Sequence, residues 1–174
     1  MLTESRASTM RTLLMASVEA HFGTDEKRIE HARAVLRLAE ALAPALGAEL
    51  RIVVPAAILH DVGIKPAMEK YGSAAGPLQE REGPPVARPL LEELGFSSAD
   101  IEEICAIIGS HHTPDAAGTA AFKAVYDADR IVNMREMADA AAPASLKREI
   151  DRTLLTEAGR ALAARTYLGG RTGN

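Results

Sequence analysis

Apolar residues along this chain recur at intervals of three and four positions, and strictly alternating apolar and polar stretches are absent. Intervals of this kind place apolar side chains on one face of an α-helix, whereas a half-buried strand requires alternation. Near the N-terminus, for example, Met10, Leu14 and Val18 fall at i, i+4 and i+8. Alanine, the strongest helix former, is also abundant. The pattern therefore predicts an all-α fold, a helical bundle.

Glycine, proline and helix-capping residues divide this pattern into about seven helices. Glycine commonly ends a helix because it adopts left-handed backbone angles, and proline suits a first helical turn. The segment 64–77 contains two prolines and two glycines, and it is predicted to be a loop. The predicted helices span residues 5–22, 29–46, 55–62, 85–94, 101–108, 120–137 and 145–167.

The last predicted helix has an apolar stripe that must be covered by something. A stripe of this kind on an otherwise polar helix packs either against the rest of the chain or against another molecule. The sequence leaves both alternatives open, and the second would produce a homodimer. The stripe consists of Leu146, Ile150, Leu154 and Leu162.

Composition limits the class of protein. The chain has 174 residues and a mass of 18.5 kDa, which suits a single domain over residues 1–174. A net charge of −4 and an aromatic content of 3% argue against a module that binds nucleic acid polymers, because phosphate neutralisation and base stacking both lack their residues. The lone Cys105 excludes an internal disulfide and a cysteine-based zinc finger. It lies on the apolar face of helix 101–108 and is predicted to be a core residue.

No segment has the length and apolarity of a membrane span. The longest uncharged apolar run, 52–59, is far shorter than the ~20 residues that such a span requires. The segment 12–18 is similar to the apolar part of a short signal peptide, but Glu4 and Glu19 flank it and its apolar residues have helical spacing. We therefore expect a cytoplasmic protein without a membrane partner.

Histidine and aspartate stand at four places, each on a different predicted helix or helix end. Imidazole and carboxylate ligands together suit Mn, Fe, Zn or Ni better than Ca. Asp61 follows the most apolar stretch of the chain, where an unpartnered carboxylate would cost several kcal/mol and a bound metal would relieve that cost. The four places are His31, His60-Asp61, His111-His112 and Asp129.

In this order, the residues resemble the ligand signature of the HD superfamily of metal-dependent phosphohydrolases. Residues 59–63, Leu-His-Asp-Val-Gly, are similar to the HDIG form of its motif, and the resemblance covers about residues 22–137. It implies an all-α bundle with terminal helices at 5–22 and 145–167 outside that core. It also implies one divalent ion, Mn, Fe, Zn, Ni or Mg, bound by His31, His60, Asp61 and Asp129. Asp127 is a competing candidate for the last ligand, and the Ala-Asp-Arg context favours Asp129.

A second resemblance concerns the segment around Asp129. Residues 128–135 are similar to the Ala-Asp-Arg-Leu-His-Asn-Met-Arg segment of stringent-response alarmone hydrolases, which are HD proteins. It implies that Asn133, which shares a helix face with Asp129, lies near the scissile pyrophosphate. The alternative is that Asn133 only caps or packs. The acidic pair that follows the His-Asp motif in those hydrolases is replaced here by Gly-Ile-Lys, which weakens a specific alarmone assignment.

The same comparison bears on a second metal ion. Several HD subfamilies hold one with a histidine that precedes a glycine and with histidines further along the chain. Here Gln79, a poor metal ligand, stands at the first of these places. His111 is a candidate ligand of a partial second site, and His112 either shares that role or contacts a substrate phosphate. The alternative is a solvated pair.

The resemblances predict a metal-dependent phosphohydrolase that acts on a small phosphorylated molecule, with a nucleotide favoured. The ion would acidify a water molecule and polarise a phosphoryl oxygen. Asp61 would orient or deprotonate that water, Asn133 would act at the scissile group, and the segment 64–83 would fold over the metal. Candidate donors to the anionic substrate are Lys65, Arg81, Arg130 and His112.

Two other functions remain open. Some HD-fold proteins are di-iron oxygenases, but that chemistry needs a full second ligand set, and Gln79 argues against one. A non-catalytic sensing or interaction module would keep the metal only as a structural staple, with saturated coordination. His21 lies outside the signature, and we expect it near a helix end without a catalytic role.

Overall fold

A computed structural model describes residues 4–114 and 118–169, with side chains from residue 7 onward. Over these residues the chain is helical and contains no strand, which confirms the predicted all-α fold. The helices are α1 (Glu4–Phe22), α2 (Glu26–Leu46), α3 (Leu50–Leu59), α4 (Ile64–Tyr71), α5 (Gly76–Glu93), α6 (Ser98–Ile108), α7 (Ala120–Asn133), α8 (Arg135–Ala140), α9 (Pro143–Thr153) and α10 (Glu157–Tyr167).

Helix α2 lies at the centre of the bundle. It packs mainly against α7 and α3, and α3 also packs against α6. Its boundaries agree with local sequence signals, because the Asp25 side chain accepts from the Arg28 N–H at the start and Gly47 adopts φ 64° at the end. Helices α2 and α7 contain His31 and Asp129, and His60 caps the end of α3. The packing of these three helices therefore positions the candidate ligands. Cys105 lies in the hydrophobic core, as predicted.

The prediction for residues 64–94 is wrong in two respects. Residues 64–71 form helix α4 instead of a loop, and α5 begins at Gly76 and continues through Pro84, Pro85 and Pro89. Pro66 lies in the first turn of α4, where its missing N–H has no intrahelical acceptor to lose. In α5 the prolines remove hydrogen bonds, but the helix packs against α4 and α6, so tertiary contacts override local propensity.

Two long predicted helices are divided in the structure. The segment 120–137 breaks at Met134 between α7 and α8, and the segment 145–167 breaks between α9 and α10. The predicted stripe of the last segment packs inside this chain, since Leu146 and Ile150 are fully buried, Leu154 is 3% exposed and Leu162 is half-buried against the core. Intramolecular packing therefore covers it. None of the described helices is long and apolar enough to cross a membrane.

Candidate metal centre

Four side chains from three parts of the bundle converge on one point. His31 comes from α2, His60 and Asp61 follow the end of α3, and Asp129 comes from α7. His31 Nε2 lies 3.0 Å from Asp129 Oδ1 and 3.2 Å from His60 Nε2. Asp61 Oδ2 lies 3.5 Å from His60 Nε2 and 3.6 Å from His31 Nε2. The structure thus brings together all four residues that the HD resemblance assigns to one ion.

Backbone carbonyls orient two of the imidazoles. His60 Nδ1 donates to the Ala57 carbonyl at 2.7 Å, and His111 Nδ1 donates to the Ile108 carbonyl at the same distance. A carbonyl only accepts, so in both rings Nδ1 bears a proton, and Nε2 is the nitrogen that faces the carboxylates. Hydrogen bonds of this kind hold metal-binding histidines in one tautomer and one orientation. Both rings are fully buried.

The electrostatics of the cluster favour a positive charge. Burial alone lowers the pKa of His60, but the carboxylates of Asp61 and Asp129 raise it well above its ordinary value. Burial likewise opposes ionisation of Asp61, yet His60 and His111 hold the pKa of that carboxyl well below its usual range. A divalent cation would supply the charge that these groups otherwise draw from protons.

Buried polar atoms without partners also suit a cation. Within the described parts of the chain, Asp129 Oδ2 and His111 Nε2 are buried and have no hydrogen-bond partner. Such atoms are rare in native proteins and usually indicate an ion or water. Two imidazoles and two carboxylates together suit Mn, Fe, Zn or Ni, and the two carboxylates also suit Mg. The residues present therefore fit a divalent metal ion.

Asp127, the competing candidate, performs a different task. Its carboxylate accepts from Leu155 N at 2.8 Å, from Thr156 N at 3.0 Å and from Thr156 Oγ1 at 2.6 Å. Burial raises its pKa, and these donors oppose that rise. Gly159 lies so close that a Cβ there would be 2.2 Å from Asp127 Oδ2. Asp127 therefore fixes the start of α10, and Asp129 is the residue that faces the histidines.

A second group of potential ligands adjoins the first. Asp61, His111 and His112 offer ligand atoms within 4.8 Å of one another, and His111 Nε2 lies 3.6 Å from Asp61 Oδ1. Gln79 donates its amide N–H to the Ala74 carbonyl, so its Oε1 faces His112 Nε2 at 3.3 Å. His112 Nε2 must then bear a proton and cannot bind a cation in this arrangement. Burial lowers the pKa of His112 to about 4, with His111 adding to the effect.

Glycines allow the backbone of α5 to lie directly against the turn that contains Asp61. A Cβ at Gly63 would lie 2.1 Å from the Gln79 carbonyl oxygen and 2.6 Å from Gly83 N. A Cβ at Gly83 would lie 2.5 Å from a methyl carbon of Ile108. The glycine of the Leu-His-Asp-Val-Gly motif thus permits a close helix–turn contact. His21, at the end of α1, donates from Nε2 to the carbonyl of Val62 in this turn at 2.9 Å.

A cleft of about 320 Å³ opens onto the cluster. Lys27 and Arg28 line this cleft, and neither residue is among those predicted from the sequence to contact the substrate. The available signal was their position four and three residues before His31, which places them on the same helix face. The cleft is lined by Asp25, Lys27, Arg28, His31, Asp61, Ile64, Gln79, His112, Asp129 and Asn133.

The predicted cationic donors lie elsewhere, whereas His112 and Asn133 do line the cleft. Lys65 Nζ donates to the His21 carbonyl at 3.2 Å, and the Arg81 side chain is 71% exposed with its guanidinium over Tyr71. Arg130 lies over the Tyr126 ring, 5.2 Å from its centroid. None of the three is among the lining residues. The prediction of a loop over residues 64–83 is wrong, because α4 and α5 occupy this segment, although its residues Ile64 and Gln79 do line the cleft.

Comparison with known proteins agrees with this geometry. The family model described as HD domain matches residues 28–153, and the chain belongs to that family. This match confirms the membership of the HD superfamily that the sequence resemblance predicts. The structure is also similar to a crystal structure of a predicted HD superfamily hydrolase from an uncultured Thermotogales bacterium, with a TM-score of 0.65 and 26% identity. That similarity covers 90% of this chain and 84% of the other. A comparison with curated protein sequences gives no match.

Proposed function

We propose that this protein is a metal-dependent phosphohydrolase acting on a small phosphorylated molecule, with nucleotides as the favoured class. The observation that carries the proposal is the convergence of His31, His60, Asp61 and Asp129 at a cleft whose rim includes two cationic side chains. Membership of the HD domain family and similarity to a predicted hydrolase favour hydrolysis as the reaction.

The four converging side chains would hold one divalent ion. When bound, such an ion supplies Lewis acidity, which acidifies water and polarises a phosphoryl group. Asp61 would orient the attacking water, since its Oδ2 faces His31 and His60 while its Oδ1 lies on the side of His111, 3.6 Å from Nε2. Its partly solvated side chain, 13% exposed, is within reach of water in the cleft.

Polar groups on the cleft wall would bind the phosphoryl oxygens. Asn133 Nδ2 donates one N–H to Asp129 Oδ1 at 2.9 Å, which leaves its second N–H available for a substrate oxygen. His112 is neutral at physiological pH because burial lowers its pKa. Its single N–H is donated to Gln79, so His112 would line the cleft as a neutral hydrogen-bond acceptor and not as a donor to phosphoryl oxygens.

Phosphate release by purified, metal-loaded protein tests this function. Wild type would be assayed with a panel of nucleotides, phosphomonoesters and inorganic pyrophosphate, beside Asp61→Ala and the control Asp139→Ala, whose residue is exposed on α8. We expect activity in wild type and Asp139→Ala and its loss in Asp61→Ala. The proposal is wrong if wild type releases phosphate from no compound faster than Asp61→Ala does.

A di-iron oxygenase is the second candidate, favoured by the neighbouring group of Asp61, His111 and His112. It requires two irons per chain, and the hydrogen bond from His112 Nε2 to Gln79 withholds one nitrogen from a second ion. Elemental analysis that finds two irons in each chain would favour the oxygenase. A non-catalytic module, a cytoplasmic location and a homodimer stay predictions.

A further inference from the structure

Two cationic residues stand one helical turn from the candidate metal centre. Lys27 and Arg28 occupy the first turn of α2, four and three residues before His31, and all three line the same cleft. Residues at these spacings are neighbours on a helix surface, and one turn advances about 5.4 Å along the axis. A group bound to Lys27 would therefore lie beside a group bound at His31.

Of the residues at this rim that line the cleft, one is acidic and two are basic. Arg28 Nε lies 3.1 Å from Asp25 Oδ2, and that carboxylate also accepts the Arg28 backbone N–H. Lys27, by contrast, forms no ion pair with any side chain in the described parts of the chain, and it is exposed. Asp25, Lys27 and Arg28 together leave a net charge of about +1, and Lys27 is the residue free to meet an anion.

The remainder of the cleft offers little to a base or another flat ring. Among the described residues that line it, Ile64 is the one aliphatic side chain, and no Phe, Tyr or Trp is present. Recognition of a nucleobase usually relies on aromatic stacking or an apolar pocket. The amides of Gln79 and Asn133 instead offer hydrogen bonds that suit oxygen-rich groups.

We propose that Lys27 and Arg28 bind a phosphate group linked to the one that is hydrolysed, so that the protein selects molecules with two or more linked phosphates. Selection would depend on the charge of the phosphate chain rather than on the base or sugar. The proposal rests on the phosphohydrolase function proposed above and adds the class of substrate, di- and triphosphates. Neither residue is adjacent in sequence to the ligand set.

Binding measured without turnover gives the first test. Calorimetric titration of Mn²⁺-loaded protein with orthophosphate and with methylenediphosphonate, a form of pyrophosphate whose bridging carbon prevents hydrolysis, would compare wild type, Lys27→Met and Arg28→Met. Lys147→Met and Arg88→Met are matched controls, because each removes a cation that is paired with a carboxylate far along the chain from α2. We expect Lys27→Met to weaken methylenediphosphonate binding about tenfold, Arg28→Met to weaken it less, and both controls to match wild type. Orthophosphate binding should change little in any variant.

Hydrolysis gives the second test and separates the two proposals. We expect Lys27→Met to raise KM for inorganic triphosphate about tenfold while KM for a phosphomonoester stays near its wild-type value. Equal losses for both compounds, or no loss in either variant while wild type hydrolyses triphosphate, would overturn this inference and leave the phosphohydrolase function intact. Pyrophosphate binding that depends on Lys27 in a protein without hydrolytic activity would support a binding site for linked phosphates and contradict the hydrolytic function.

Discussion

Asn133 Nδ2 donates a 2.9 Å hydrogen bond to Asp129 Oδ1, the same oxygen that lies 3.0 Å from His31 Nε2. One carboxylate oxygen therefore meets an amide from its own helix, α7, and an imidazole from α2. The other oxygen, Oδ2, is buried and has no hydrogen-bond partner among the described residues. The amide thus helps to fix the rotation of the carboxylate and the direction in which Oδ2 points.

Removing this amide should loosen the candidate metal centre. In Asn133→Ala we expect metal affinity to fall several-fold, since a hydrogen bond of this kind contributes about 1 kcal/mol. Competition with a fluorescent chelator measures the affinity, and Arg135→Ala, at an exposed residue two positions further, is the control. Unchanged metal affinity in Asn133→Ala would show that the amide does not orient Asp129.

Asp127 and Asp129 should respond in opposite ways to the same substitution. Asp129→Asn is expected to lose bound metal, whereas Asp127→Asn should keep it and lose about 1–3 kcal/mol of unfolding free energy, because an amide N–H would then face the donors of Leu155 and Thr156. Elemental analysis and urea titration measure the two effects. Loss of metal in Asp127→Asn with retention in Asp129→Asn would reverse the assignment.

Metal content per chain tests the role of Gln79. We expect one equivalent in wild type, because the hydrogen bond from His112 Nε2 to Gln79 leaves the second group of ligands incomplete. Gln79→His adds an imidazole and should bind a second equivalent. Gln79→Ala is the matched control, since it releases His112 without adding a ligand. Two equivalents in wild type would contradict this prediction.

The pKa of Glu82 predicts a loss of stability in acid. Glu82 is buried, forms an ion pair with Lys70 and accepts from Tyr71 OH at 2.8 Å, and these contacts lower its pKa. Because the folded value lies below the unfolded value of about 4.3, the stabilisation is complete above the unfolded pKa and is lost as pH falls through the folded pKa.

Glu82→Gln should therefore be less stable than wild type at pH 7, and the difference should shrink towards pH 3. Urea titrations at several pH values measure the difference. Glu136→Gln, at an exposed position, should follow wild type at every pH. A difference between Glu82→Gln and wild type that is independent of pH would mean that the carboxylate charge contributes nothing.

Gly63 should tolerate no side chain. In Gly63→Ala the new methyl group would meet the backbone of α5 at 2.1 Å, and backbone atoms cannot rotate away. We expect the unfolding free energy to fall by about 2 kcal/mol or more, in the manner of an overpacked core. Gly118→Ala is the control, because a Cβ there meets no described atom within 4 Å. Equal stability of the two variants would contradict the close contact.

Sequence reasoning located most of the candidate site because its signals are local and ordered along the chain. His31, His60, Asp61 and Asp129 each stand on a predicted helix or helix end, and the structure places all four there. The converging geometry itself follows from packing of α2, α3 and α7, which no local pattern specifies.

The wrong predictions, of a loop at residues 64–77 and of Lys65 and Arg81 as substrate donors, have a common physical origin. Prolines and glycines in residues 64–89 give the same local signal whether they occupy a loop or a helix held by its neighbours, so α4 and the first half of α5 were not predictable. The prediction of which cationic side chains reach the cleft is wrong for a related reason. Lys65 and Arg81 are near the motif in sequence, but helix α4 and the exposed face of α5 direct them away from the cleft, while Lys27 reaches it through helical spacing alone.

The hydrogen bonds from Leu155 and Thr156 to Asp127 cross the point at which the HD domain match ends, residue 153. A fragment cut at that boundary would retain every candidate metal ligand and still leave a buried carboxylate with no donor, two residues from Asp129 in the same helix. Tyr167, which donates to the Ile131 carbonyl at 2.7 Å, would be lost with it. We therefore expect the smallest unit that folds around this centre to be longer than the matched region and to include α10.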